Sequence, residues 1–188
     1  MTRVLVPLAD GFEEMEGIII IDVLRRAGVE VVSAALKDGP VQAARGTVHL
    51  ADTTLEAVQN DDFDMVVLPG GGGGAQNLQR DERIKRILLR MQAKDKYIGA
   101  ICAAPNVLRN HGILKESDRF TLHPGTINDG SGGQYVDNER IVRTGRITTS
   151  IGPGSAFEFA LDLVEQLCGK AVRDKTAAPM YLPDVSAK

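Results

Sequence analysis

Cys102 closes an apolar run, Tyr97-Ile98-Gly99-Ala100-Ile101, and is followed by Ala103, Ala104 and Pro105. Such a run reads as a buried strand, and Pro105 suits the first turn of a helix, where its missing N–H costs nothing. A cysteine on a sharp strand-to-helix turn is a thiol version of the nucleophile elbow usually written G-x-S-x-G. Free N–H groups and the positive end of a helix would face the sulfur, so the sequence predicts a thiolate with a pKa well below the ordinary value of about 8.5. The alternative is a buried structural cysteine ending a core strand, since free Cys is often buried and inert. Cys168, in the last predicted helix, is expected to react more slowly with alkylating agents.

Other segments could supply the rest of a thiol site. Glu13, Glu14 and Glu16 follow the first predicted strand, and acids in a first helical turn are explained in part by the helix dipole. Glu16 shares a face with Glu13, and one carboxyl near Cys102 could hold or exchange a proton with it. The run Gly70 to Gly74 lets backbone N–H groups approach a ligand. It lacks the Lys-Ser/Thr of a phosphate-binding loop, which argues against nucleotides. Alone it reads as a flexible turn; beside an elbow its amides are candidates for an oxyanion hole. His123, in Leu122-His123-Pro124, alone of the three histidines sits at a predicted strand end, although a lone His more often has a structural role. His49 and His111 read as surface residues. Ser150 to Ser155 reads as a turn capping the last helix and shaping a pocket wall or an interface.

The elements that must position these residues alternate. Strands are predicted at Val4 to Leu8, Val29 to Ala34, Met65 to Leu68, Tyr97 to Cys102, Arg119 to His123, Arg140 to Val142 and Arg146 to Ser150. Helices are predicted at Glu13 to Ala27, Thr54 to Val58, Asp81 to Met91, from Pro105 to Arg109, and at Gly154 to Leu167, with a hairpin around Val41 to Leu50. Interleaved strands and helices predict an α/β protein whose mostly parallel sheet is covered on both faces, with its site at the carboxyl ends of the strands.

The 188 residues suit a single domain, 1–188, and 43% hydrophobic with 25% charged residues excludes a disordered or fibrous chain. A formal net charge of -3 gives no footing for nucleic acid, and no apolar run approaches the ~20 residues of a membrane span. The first residues begin a strand without a signal-peptide pattern. Two cysteines, Cys102 and Cys168, form neither a disulfide framework nor a zinc-ligand spacing, so a reducing cytoplasm is expected and no metal.

In combination the motifs are specific. GFEEMEG at 11–17, IDVLRRAG at 21–28, VVLPGGGGGAQNL at 66–78, AICAAPNVL at 100–108, LHP at 122–124 and GPGSAFEFAL at 152–161 occur in family order. With them the chain resembles the ThiJ/PfpI superfamily over nearly its whole length, in particular the small branch containing the parkinsonism-associated deglycase and its bacterial relatives. The resemblance implies a flavodoxin-like α/β sandwich and a homodimer, without a cofactor. It implies that Cys102 is the reactive cysteine, Glu16 its hydrogen-bonding acid and His123 the nearby histidine. Gly71 and Ala103 would aim backbone N–H groups into the pocket, and Arg26 and Arg45 would lie at or near the dimer contact. Ala43 and Leu50 stand where some relatives carry cysteines near the dimer surface, which puts regulation through those extra thiols in doubt.

The family's proposed peptidases and larger chaperone members carry a His directly after the reactive Cys, where this chain has Ala103, and no histidine lies near Glu158 as the late His-x-Glu of glutamine amidotransferases requires. Both facts weaken hydrolase readings. The resemblance then implies a cofactor-independent glyoxalase acting on a small aldehyde, methylglyoxal or glyoxal, with related activity on early glycation adducts. The alternative is a redox-sensing stress protein or chaperone acting through oxidation of Cys102.

Overall fold

The computed structural model describes residues 1–128 and 130–183. The strands are β1 (Arg3–Leu8), β2 (Glu30–Ala35), β3 (Val41–Gln42), β4 (Val48–His49), β5 (Thr53–Thr54), β6 (Met65–Leu68), β7 (Tyr97–Ile101), β8 (Arg119–Phe120), β9 (Gln134–Tyr135), β10 (Ile141–Thr144) and β11 (Ile147–Ser150). The helices are α1 (Glu14–Arg26), α2 (Leu55–Val58), α3 (Gly72–Arg80), α4 (Glu82–Ala93), α5 (Pro105–Asn110), α6 (Ala156–Cys168) and α7 (Lys170–Ala177).

Among the described residues, seven strands form one sheet in the order β10-β11-β7-β6-β1-β2-β5. All neighbours are parallel except the β10–β11 edge hairpin. Helices α1, α6 and α7 pack on one another, as do α3, α4 and α5. The central strands read as continuous apolar runs because they are buried on both faces: Met65 to Leu68 is buried throughout, as are Val4 to Leu8. This is a flavodoxin-like α/β arrangement. The strand order reverses between β1 and β6, and the carboxyl ends flanking such a switch point form a crevice.

Two helices were not legible as such. The glycine run reads as a turn, yet α3 begins inside it at Gly72. Helix propensity alone would not start there, since each Gly costs about 1 kcal/mol relative to Ala. Tertiary packing overrides it, because the first turn of α3 presses against the loop after β1. The Gly74 N–H donates to the Gly11 carbonyl at 3.0 Å, and a Cβ on Gly74 would lie 2.6 Å from the Phe12 Cα. The chain also continues past Gly169 into α7, so Ala156–Cys168 is not the last helix. Conversely, the strand predicted from Arg119 to His123 covers only Arg119–Phe120; the backbone then turns to brace the elbow.

Gly72 has nothing within 4 Å of an added Cβ. Gly72→Ala is therefore expected to leave stability unchanged or raise it by up to ~1 kcal/mol. Gly74→Ala should lose about 1–3 kcal/mol, because the clash is with main chain that cannot swing away. Urea unfolding of the two variants beside wild type measures both, and equal midpoints would contradict this account of the glycine run.

Candidate active site

β6 and β7 run in register, Leu68 beside Ala100, so Gly70 and Cys102 leave the sheet side by side. Cys102 has φ +62°, the left-handed region that a residue with a Cβ rarely adopts. Two hydrogen bonds hold it there. Its N–H donates to the Ser150 carbonyl at 2.9 Å, and its carbonyl accepts from the His123 N–H at 3.0 Å. The elbow is thus real, and its turn is clamped from β11 and from the segment after β8.

Glu16 projects from the first turn of α1 and is fully buried. Its Oε2 accepts the Gly70 N–H at 2.7 Å, while the Gly70 carbonyl accepts the Glu13 N–H at 3.0 Å. A Cβ on Gly70 would lie 2.6 Å from both Glu16 Oε2 and Cys102 Cβ, so only glycine lets acid and nucleophile meet here. Oε1 is buried with no well-formed hydrogen bond, although the Cys102 thiol lies close enough to act on the carboxyl. Burial pushes the Glu16 pKa up to about 7, against the pull of the Gly70 N–H and the thiol, with the Glu13 charge adding to the rise. That is the direction expected of a proton-carrying carboxyl.

The thiol corrects the sequence expectation. Cys102 is only 8% exposed, and its pKa is pushed up to about 12, first by burial and then by the Glu16 charge. The backbone N–H groups of Gly71 and Ala103 do reach the sulfur and pull the other way, but they are outweighed. The sequence reading counted the donors and missed how dry the pocket is and how close the acid sits. The Glu16 charge disfavours the thiolate, whereas the thiol, by donating to the carboxyl, favours the ionised acid.

His123 is exposed; its ring Nδ1 accepts the Gly125 N–H at 3.3 Å, so its backbone rather than its ring is what the structure ties to Cys102. Arg26 and Arg45 are exposed. Arg26 pairs with Asp22 at 2.6 Å, and the Arg45 N–H donates to Glu14 at 2.9 Å. His49 and His111 are half-buried rather than on the surface, His49 lying edge-on to Phe12 at 5.4 Å. Cys168 is half-buried and burial raises its pKa. Sequence reasoning missed Gly70 as the donor to Glu16, and it underrated Glu13, which is buried and bears on the titration of Glu16. It also missed Ser150, whose carbonyl anchors the elbow. Glu13 had a signal, its three-residue spacing from Glu16; the pairing of Gly70 with Glu16 spans 54 residues and left none.

A larger cavity of about 520 Å³ lies at the opposite ends of the strands, beside Lys96, Tyr97 and Arg146. Its charges are already paired, Lys96 with Asp64 and Arg146 with Asp95, and it contains no nucleophile. Among the described residues no group of His, Cys, Asp and Glu is arranged to hold a metal, and no helix is long and apolar enough to cross a membrane.

The sequence matches the profile of the DJ-1/PfpI family over residues 2–166. It is 42% identical over 186 residues to the Parkinson disease protein 7 homolog of Danio rerio, an alignment covering 97% of this chain and 98% of that protein. It is 39% identical over 182 residues to the glutathione-independent glyoxalase DJR-1.2 of Caenorhabditis elegans, covering 95% of each. The structure superposes on oxidized Toxoplasma gondii DJ-1 with a TM-score of 0.87 at 38% identity, over 96% of this chain and 98% of that one.

The raised pKa of Glu16 has a consequence for stability. Below its ordinary value of 4.5 the carboxyl is protonated in folded and unfolded chains alike, and its burial carries no ionisation penalty. Between 4.5 and about 7 the unfolded chain releases the proton while the folded one keeps it, so stability falls as pH rises. Above about 7 the accumulated loss is roughly 3 kcal/mol. Relative to wild type, Glu16→Gln should therefore gain about that much between pH 4 and pH 8, read from denaturant unfolding at both. A difference that stays constant with pH would mean that Glu16 titrates as an ordinary surface acid.

Proposed function

The chain belongs to the DJ-1/PfpI family, and from that premise we propose that it is a cofactor-independent glyoxalase whose nucleophile is Cys102. The observation that carries this reading is the buried acid–thiol pair: Glu16 titrating near neutrality against a sulfur that two backbone N–H groups already face. The name of the Caenorhabditis elegans relative, a glutathione-independent glyoxalase, supports it.

The chemistry follows from the groups present. Glu16 takes the thiol proton as sulfur attacks the aldehyde carbon of methylglyoxal or glyoxal. The carbonyl electron pair moves to oxygen, which the Gly71 and Ala103 N–H groups stabilise, and protonation of that oxygen gives a hemithioacetal. Removal of the proton on the former aldehyde carbon sends electrons to the neighbouring carbonyl oxygen and forms an enediol. Return of a proton to the neighbouring carbon gives a thioester. Water then attacks, the thiolate leaves, and an α-hydroxy acid is released. One carbon is oxidised and its neighbour reduced within the substrate, so no external electron carrier enters the balance. Glu16 relays these protons, with the exposed His123 as a second carrier. Early glycation adducts would enter when the carbinolamine C–N bond breaks: the amine leaves with a proton, the aldehyde carbonyl is restored, and Cys102 attacks it as before, which extends the proposal to deglycase activity. Ala103, in place of the triad histidine, sets peptidase chemistry last.

A second reading has its own support, since a relative has been solved in oxidized form. Oxidation of Cys102 beside Glu16 would make the same pair a redox sensor in a stress-protective protein or chaperone. Production of lactate by purified protein in excess methylglyoxal separates the two readings.

We further propose a cytoplasmic homodimer. Met15 and Ile18 on α1 are 54% and 41% exposed, Val48 and Leu50 are more exposed still, and Arg26, at the end of α1, and Arg45, before β4, are exposed as well. Burial of such a surface against its copy removes apolar area from water.

Cys102→Ser should abolish lactate formation from methylglyoxal. Glu16→Gln, which keeps the shape without the transferable proton, should lower turnover by roughly 10²-fold or more. Lactate assayed directly, with Glu13→Gln and Glu14→Gln alongside, decides which carboxylate carries the proton; full activity in Glu16→Gln with loss in either neighbour would sink the assignment. Light scattering at micromolar concentration should give twice the chain mass for wild type and the single mass for Ile18→Glu. A monomeric wild type would remove the dimer.

A further inference from the structure

A cavity of about 260 Å³ opens between the first turns of α3 and α5. Gly72 and Ala103 form part of its wall, and Ala103 is also one of the two N–H donors to the sulfur, while Gly72 directly follows the other. Its polar side chains are four carboxamides, Gln76, Gln79, Asn106 and Asn128, and the Thr126 hydroxyl, which donates to the His123 carbonyl at 2.8 Å; no charged side chain stands among the described lining residues.

Three of those carboxamides are fixed in place. Asn106, only 6% exposed, donates from Nδ2 to the Thr126 carbonyl at 2.6 Å. Asn128 Oδ1 accepts the Gly130 N–H at 3.0 Å, and its carbonyl accepts from Arg109 at 2.9 Å. Gln79 Oε1 accepts from Asn110 at 3.0 Å. Gln76 differs: its side-chain amide is exposed and makes no hydrogen bond to the described residues. Among the described lining residues the cavity is thus an uncharged, hydrogen-bonding space with one unspent carboxamide at its side.

That space exceeds what the small end of methylglyoxal requires, being several times the ~30 Å³ of one water in the liquid. Among the described lining residues, no side chain offers a counter-charge to a phosphate, carboxylate or ammonium that has lost its hydration there. A hydroxyl fits better, because a carboxamide offers it both a donor and an acceptor. We propose that this cavity is a subsite for the hydroxylated, uncharged tail of longer α-oxoaldehydes of the kind formed from sugars, with Gln76 as the residue that selects them. The aldehyde oxygen would lie at the Gly71 and Ala103 amides, and the chain beyond it would run between Gly72 and Ala103 towards Gln76. The covalent steps and their electron balance are those of the glyoxalase reading, on which this inference rests.

The test compares kcat/KM for 3-deoxyglucosone with that for methylglyoxal, in wild type and in Gln76→Leu, with each hydroxy acid product measured. Taking the ratio of the two substrates, and then comparing the proteins, cancels the fraction of sugar-derived substrate held in cyclic form. Loss of one neutral hydrogen bond should lower the selectivity ratio about fivefold to tenfold in Gln76→Leu. Conversion of methylglyoxal but not 3-deoxyglucosone by wild type would overturn the subsite while leaving the glyoxalase reading intact. So would conversion of both with the same selectivity in the two proteins. If wild type converts neither, the glyoxalase reading falls and the subsite falls with it.

Discussion

A carboxyl group sealed from water beside a thiol is the constraint around which this protein is arranged. Glu16 can occupy that position only because Gly70 turns its N–H towards Oε2 and carries no Cβ. The requirement spreads outward. Gly70 must leave β6 alongside Cys102 leaving β7, which needs the parallel register of those strands. Glu16 must arrive from the other side of the switch point, which needs β1 next to β6 and α1 beginning promptly after it. Sheet order, glycine run and helix start are parts of one arrangement that brings an acid and a sulfur into a dry pocket.

The pocket is costly in the sense that buried ionisable groups are costly. Neither partner gains a full counter-charge: Glu16 has one backbone donor, and Cys102 has two. A structure selected for stability alone would fill this position with an apolar side chain. The activity proposed for the chain would use that acid's proton, which would link the energetics of the fold to the chemistry.

Much of this was legible in the sequence. Apolar runs located the central strands within a residue or so, Gly28 and Gly169 marked helix ends, and Pro105 marked the start of α5. Cys102 and Glu16 were recognisable from local spacing and motif together. What escaped was long-range. The helical state of Gly72–Arg80 depends on contact with Phe12 and Gly11, which no local propensity encodes. The sign of the thiol's pKa shift depends on how deeply the elbow is buried and how near Glu16 comes, while the elbow motif advertises only the amides. His123 was noticed for its ring, but the structure uses its main chain.

The two hydrogen bonds on the Cys102 main chain come from Ser150, at the end of β11, and from His123, in the segment after β8. Neither comes from α3 or from the body of α5. The sulfur is therefore surveyed, so to speak, from the sheet, while much of the adjoining cavity wall belongs to the helical layer. Side-chain substitutions on the exposed part of α3 can alter what fits beside the nucleophile without touching the two bonds that hold its main chain. The architecture holds the nucleophile's main chain from β11 and the segment after β8, so side chains on the outer turns of α3, such as Gln76 and Gln79, can change what fits beside the sulfur while the turn that carries it stays anchored.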